Sequence, residues 1–360
     1  MSMLFEPVRL GELQLANRIV MAPMTRSRAD SQGVPGSDMV SYYRQRATAG
    51  LIVAEGTAPS ASGLGYCRTP AIYSAEQIAA WRQVTRAVHA EGGRMVLQLM
   101  HVGRAASRHN KPQGAATVAP SAIRARTQLF SDTAGMVDTE MPEALTVEGI
   151  AGVIDDYRQA ALNAREAGFD GVELHCTSGY LPMQFMAAGS NQRSDHYGGS
   201  ADNRVRFAQE VLAAMAAAIG AGRVGLRLCP GNPYNDIDDS EPAVTSAALC
   251  AAVAPLGLAY LHIMRSPVPG LDAFALARRY SPQALILNDG FDAVSAQAAL
   301  AAGQGAAVSF GRHFIANPDL VERLRHGRPL AGFDRKTLYT PGPHGYSDYP
   351  SWQASLEVTP

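Results

Sequence analysis

His175, Ser178 and Tyr180 lie close together in the run Glu173-Leu174-His175-Cys176-Thr177-Ser178-Gly179-Tyr180-Leu181. A histidine can hydrogen-bond an oxygen on which negative charge develops. A tyrosine, whose unperturbed pKa is about 10, can give a proton to a carbanion. Alone, His175 reads as a satisfied core histidine; beside Tyr180 it reads as half of a donor pair. A second set is Thr25, Gln98 and Arg227. Gln98 offers a donor and an acceptor, suited to an imide edge, Arg227 a fixed positive charge for an anionic ring, and Thr25 a donor to a ring carbonyl. Such a set matches the polar edge of a flavin better than a sugar or an amino acid. A third set is Asn288-Asp289-Gly290 with Gly311-Arg312. There glycines admit a phosphate to backbone N–H groups at helix starts, and Arg312 can fork onto its oxygens. The plainer alternative is turn glycines with Arg312 in a rim salt bridge, and Asp289 would repel a phosphate. His101 and Gly103-Arg104 either line the same mouth or support a neighbouring insertion. No chemistry is read for His262 or the remaining histidines.

Eight apolar runs position these residues: Arg18–Met24, Gly50–Gly56, Arg94–Met100, Gly171–His175, Val224–Leu228, Leu258–Met264, Ala284–Asn288 and Ala306–Phe310. Each is short and buried in character. Helical patterns lie between them, clearest at Ala75–His89, Val147–Ala167, Ala201–Ile219 and Ala293–Ala302. Ser74 with Gln77, and Thr146, give helix starts, and Asn317-Pro318 predicts the start of the last helix. Strand–helix alternation with right-handed crossovers predicts an α/β fold, a (β/α)8 TIM barrel. A doubly wound sheet competes, but no G-x-G-x-x-G follows the first strand. Val8–Leu10 and Leu13–Leu15 around Gly11-Glu12 predict a β-hairpin plug. Residues 102–142 predict a capping insertion after strand three, within one domain spanning 1–360. Thr25, Glu55, Gln98, His175, Arg227, Asn288 and Arg312 then all fall at the C-terminal ends of strands, where barrel enzymes build their sites.

The composition narrows the function class. The 31 Lys+Arg against 32 Asp+Glu leave a net charge of −1 over 360 residues, which gives no electrostatic reason to expect nucleic acid. Arg124, Arg126 and Lys111 are too sparse to change that. The longest weakly polar run, Ala247–Leu261, is broken by Pro255 and Gly257 and falls short of the roughly 20 residues of a membrane span. Glu6 and Arg9 stand where a signal peptide needs its apolar region. Cys67, Cys176, Cys229 and Cys250 show no metal-like spacing. The expectation is a cytoplasmic enzyme with a small-molecule substrate, no metal, no membrane or nucleic-acid partner, and a monomeric or weakly homo-oligomeric state.

The chain resembles the Old Yellow Enzyme family of FMN-dependent ene-reductases. The resemblance rests on Leu4-Phe5-Glu6-Pro7, Asn17-Arg18, Ala22-Pro23-Met24-Thr25-Arg26 and Gln98-Leu99-Met100-His101-Val102-Gly103-Arg104. It continues through Glu173-Leu174-His175, the run from Gly189 to Ser200 with Asn203-Arg204, and Phe310-Gly311-Arg312 onward to Leu320. It implies one non-covalent FMN, with NADPH or NADH as reductant. Pro23, Met24, Thr25, Gly56, Gln98, His175 and Arg227 would contact the flavin, and Gly290, Gly311 and Arg312 its phosphate. His175 would bind the substrate's activating oxygen and Tyr180 would protonate the substrate, with Tyr66 and Tyr339 lining that side. Thr25 resembles the N-ethylmaleimide reductase-like subgroup first known from yeast and enteric bacteria. The absence of a cysteine cluster before Pro360 is read against the iron–sulfur relatives.

Two departures bear on the substrate. Ser178 stands where the family carries Asn or His, which weakens the second donor to a carbonyl or nitro oxygen. Met100 replaces the usual aromatic and softens the pocket wall. The first reading is ping-pong reduction of activated C=C bonds in α,β-unsaturated carbonyl or nitro compounds. The second is a specialised biosynthetic dehydrogenation or isomerisation, and the third a flavin-binding protein without catalysis.

Overall fold

Eight short, buried, largely apolar strands are separated by helices along the chain. They are β1 (Ile19–Met21), β2 (Leu51–Thr57), β3 (Met95–Leu99), β4 (Gly171–Cys176), β5 (Val224–Leu228), β6 (Tyr260–Met264), β7 (Leu285–Asn288) and β8 (Ala307–Phe310). In the computed structural model, which describes residues 2–353, they pair in parallel in chain order. β8 returns to β1, closing the barrel. This is the (β/α)8 architecture expected from the sequence. The helices are α1 (Ser37–Arg44), α2 (Ala75–Ala90), α3 (Val147–Glu166), α4 (Leu181–Met186), α5 (Ala201–Ile219), α6 (Pro242–Val253), α7 (Ala273–Tyr280), α8 (Ala293–Ala301), α9 (Arg312–Ala316) and α10 (Leu320–Arg325).

Local chemistry sets the boundaries. A reciprocal capping box opens α2: Ser74 Oγ accepts from Gln77 N at 3.2 Å while Gln77 Oε1 accepts from Ser74 N at 3.0 Å. Thr146 accepts from Gly149 N at the start of α3. The first strand ends earlier than Met24. Ala22 N still donates to Phe310 O at 3.0 Å, but Pro23 has no N–H to continue the ladder, so Met24 and Thr25 leave the sheet. The helix expected at Asn317-Pro318 begins instead at Leu320. The Asn317 amide donates to His313 O at the end of α9 and to Ala331 O, and its oxygen accepts from Ala331 N. Asn317 therefore closes one helix and does not open the next.

The hairpin Val8–Leu10/Leu13–Leu15 turns at Gly11, φ +55°. Its Leu10, Leu13 and Leu15 pack with Val20, Leu51, Val96 and Ile286 inside the barrel. Between β3 and α3 lie two small sheets, Val118–Ala119 with Glu143–Ala144 and the hairpin Gln128–Ser131/Gly135–Asp138. His101, Gly103 and Arg104 hold the base of this segment. The His101 ring accepts from Gly103 N and contacts Ser62 Oγ, while Arg104 donates to Ile123 O and Asp236 O. Among the described residues, no helix is long and apolar enough to cross a membrane. No group of three or more metal-ligating side chains gathers there either.

Candidate active site

The interior of the barrel is polar at one level. Glu173 and His175 are two apart on β4 and so share its inner face. Glu173 lies beside Gln98 of β3, and His175 beside Arg227 of β5. Gln98 Nε2 donates to Glu173 Oε1 at 2.8 Å, and His262 Nδ1 meets Glu173 Oε2 at 2.8 Å. Arg227 reaches His262 Nε2 at 2.6 Å and donates to Asn288 Oδ1 at 2.7 Å; Ser309 Oγ also approaches His262 Nε2. A carboxylate only accepts, so His262 carries its hydrogen on Nδ1 and accepts on Nε2. Burial, then Arg227, depresses its pKa to about 4, keeping the ring neutral.

Above this layer the donor pair comes together. The His175 and Tyr180 rings stand edge to face, centroids 4.9 Å apart. His175 is buried, and its Nδ1 has no hydrogen-bond partner in the protein. Burial first, then Arg227, lowers its pKa to about 3, so it is a neutral donor. Tyr180 donates to Tyr66 Oη at 3.4 Å, and Asn235 Nδ2 donates to the same oxygen at 3.2 Å and to Ser178 O at 2.9 Å. Burial pushes the Tyr180 phenol well above its ordinary pKa and Tyr66 up to about 12. Both hold their protons at neutral pH.

These residues open onto a cavity of about 580 Å³ lined by Thr25, Tyr66, His175, Ser178, Tyr180 and Tyr339 among others. Its outer rim carries three largely exposed rings: Phe130 (52%), Tyr234 (60%) and Tyr339 (59%). Pro23, Met24, Arg227, Asn288, Gly290, Gly311 and Arg312 line a second cavity of about 290 Å³. The two flank the segment 22–25. A Cβ on Gly311 would meet nothing nearer than Met24 Sδ at 3.6 Å. Gly290 takes φ +72°, and Arg312 is mostly exposed, 3.9 Å from Asp289.

Three further expected residues are defined by their packing rather than by either cavity's lining. Met100 is buried behind Tyr180 with Val102, Ala105 and Ala106. Gly56 faces Met100, where a Cβ would come within 2.5 Å of its Sδ. Glu55 does not face the mouth. It accepts from Arg26 N and from the Tyr43 hydroxyl, and burial raises its pKa to about 7. Conversely, Glu173, His262, Ser309 and Asn235 were missed. For Glu173 and Ser309 the signal was present, since each sits on a strand with its side chain on the inner face.

A match to the NADH:flavin oxidoreductase / NADH oxidase family covers residues 3–331. The chain belongs to that family. It is 40% identical to a protein of Leishmania infantum named probable flavin mononucleotide-dependent alkene reductase, over 96% of this chain and 97% of that one. It is likewise 40% identical to 12-oxophytodienoate reductase 1 of Oryza sativa subsp. japonica, over 96% and 92%. The structure of morphinone reductase in complex with tetrahydroNAD superposes with a TM-score of 0.92 at 44% identity, covering 97% of each chain. This Old Yellow Enzyme-type flavin oxidoreductase thus has its barrel, its polar interior layer and its donor pair arranged around the two cavities.

Proposed function

We propose that the protein is an FMN-dependent, NAD(P)H-linked reductase of activated C=C bonds. The observation that carries this reading is the buried His175 Nδ1, unpartnered beside Tyr180 at a cavity about 580 Å³ in size. A buried polar atom without a partner costs about 1–3 kcal/mol, which a ligand can offset. The residues suit FMN. Gln98 and Arg227 offer an amide and a cation to a ring edge, Thr25 a hydroxyl, and Gly290, Gly311 and Arg312 an open anion cradle. The flavin mononucleotide in the Leishmania relative's name and the tetrahydroNAD in the morphinone reductase complex support the cofactor pair.

FMN held there would supply the hydride chemistry that links NAD(P)H oxidation to reduction of one alkene carbon. The chain does the rest. His175, held neutral, donates a hydrogen bond to the carbonyl or nitro oxygen as negative charge builds there. Tyr180, held protonated, gives its proton to the second alkene carbon. Before substrate enters, Tyr66 Oη accepts the Tyr180 proton at 3.4 Å, a long bond that the substrate carbon has to replace.

The test is Tyr180→Phe in the FMN-loaded enzyme. The oxidative half-reaction with an enone falls about 10²–10⁴-fold, while reduction by NAD(P)H is unchanged. An unchanged oxidative rate overturns the role of Tyr180. Turnover without stoichiometric NAD(P)H consumption would instead indicate a redox-neutral isomerase.

A further inference from the structure

Outside the donor pair, the barrel buries a carboxylate, Glu173. It is fully buried with His262, and both its oxygens are engaged, one by Gln98 and one by His262. The histidine passes the contact on to Arg227, whose other terminal nitrogen is held by Asn288. This layer therefore joins one cation and one anion through a neutral imidazole. At this depth each charge depends on the other for compensation. Three further consequences follow from who donates to whom. Glu173 takes a hydrogen from the Gln98 amide, so Gln98 Oε1 is left as the free acceptor at that edge. Arg227 is held on two sides and cannot swing. The carboxylate's charge opposes that of the guanidinium wherever the two fields overlap.

Any redox group resting on Gln98 and Arg227 feels both charges. Reduction adds negative charge to such a group, which Arg227 favours and Glu173 disfavours. We infer that Glu173 is a positioning and charge-balancing residue that lowers the reduction potential of the group held by Gln98 and Arg227. It does so while His262 keeps the arginine in place. This rests on the flavin reading given above.

The experiment is the midpoint potential of bound FMN, titrated against a reference dye, together with the FMN dissociation constant. Glu173→Gln keeps the shape and one accepting oxygen, facing either Gln98 or His262, but removes the charge; the potential shifts upward. Glu173→Asp keeps the charge and stays nearer wild type than the glutamine variant. A purely structural role would move the two variants together. If Arg227 left unpaired prevents Glu173→Gln from folding, the comparison is made between Arg227→Gln and Glu173→Gln/Arg227→Gln at a pH high enough to ionise the carboxylate that Arg227→Gln leaves without its cation. There the added loss of the carboxylate again raises the potential. An unchanged or lowered potential in FMN-loaded variants overturns the inference and leaves the reductase reading intact. Wild-type protein that binds no FMN overturns the reductase reading instead.

Discussion

Ser178 occupies the left-handed backbone region at φ +58°, with Gly179 following at φ +73°. Asn tolerates this conformation better than Ser because its amide can bond locally. Ser178 also lines the cavity beside His175, where its short side chain offers at best one hydroxyl. The Asn235 amide cannot stand in for it. Both amide hydrogens are directed at protein, one to Tyr66 and one to Ser178 O. On the proposed reading, in which His175 alone would bind the activating oxygen, small enones should turn over slowly. Losing one oxyanion donor costs about 3–4 kcal/mol. Ser178→Asn is therefore expected to raise kcat/KM for a simple cyclic enone at least about tenfold, with FMN affinity unchanged. Stopped-flow reoxidation of the reduced enzyme checks this. A rate equal to wild type would mean that position 178 does not reach the substrate oxygen.

At the scale of elements, the mouth is bounded by segments that come from far apart in sequence. The stretch 335–346 crosses it and carries Tyr339. Arg28 holds this strap by donating to Thr337 O, Leu338 O, Gly342 O and His344 O, and Arg26 donates to Leu338 O and Gly345 O. Tyr346 stacks on Tyr42 with centroids 4.0 Å apart. Arg28→Ala removes the donor shared by four strap carbonyls, two of which (Gly342 O and His344 O) have no second side-chain donor, and should cost about 1–3 kcal/mol. It should appear as a lower Tm and faster proteolysis within 335–345, and intact resistance there would refute the strap's dependence on Arg28. Little of this was visible in the sequence, because backbone carbonyls have no residue signature. The strands were legible for the opposite reason: their apolar runs are dense, and period-two alternation places Glu173 with His175 on one face. The same logic failed for Glu55, whose place at a strand end says nothing of which side it faces. Asn317-Pro318 misled because an asparagine can close a helix as readily as open one. Asn235 lies in a loop whose left-handed backbone, φ +57°, is not encoded by any periodicity.

Taken as a whole molecule, the chain buries three histidines in the neutral form, and this dictates how stability responds to acid. The pKa values of His101 and His175 fall to about 3 and that of His262 to about 4, each chiefly through burial. Unfolded histidine titrates near about 6.5. A group with a depressed folded pKa contributes stability that is complete above the unfolded value and lost as pH falls toward the folded one. Between pH 6 and 5 the unfolded chain thus takes up as many as three protons that the native state refuses. Glu55 acts in the other direction: raised to about 7, it keeps one proton that the unfolded chain releases above about 4.3. Three against one leaves two, a slope of at most about 2.7 kcal/mol per pH unit, with stability falling on acidification. The Tm of the FMN-loaded protein should drop on going from pH 7 to 6 and more steeply from 6 to 5. His101→Gln, outside both cavities, removes one of the three and should flatten the slope by up to about 1.4 kcal/mol per pH unit. A Tm that holds steady or rises down to pH 5 would show that these rings accept protons in the native state. In that case His175 would enter the reaction as a cation, and its role as a neutral donor would have to be abandoned.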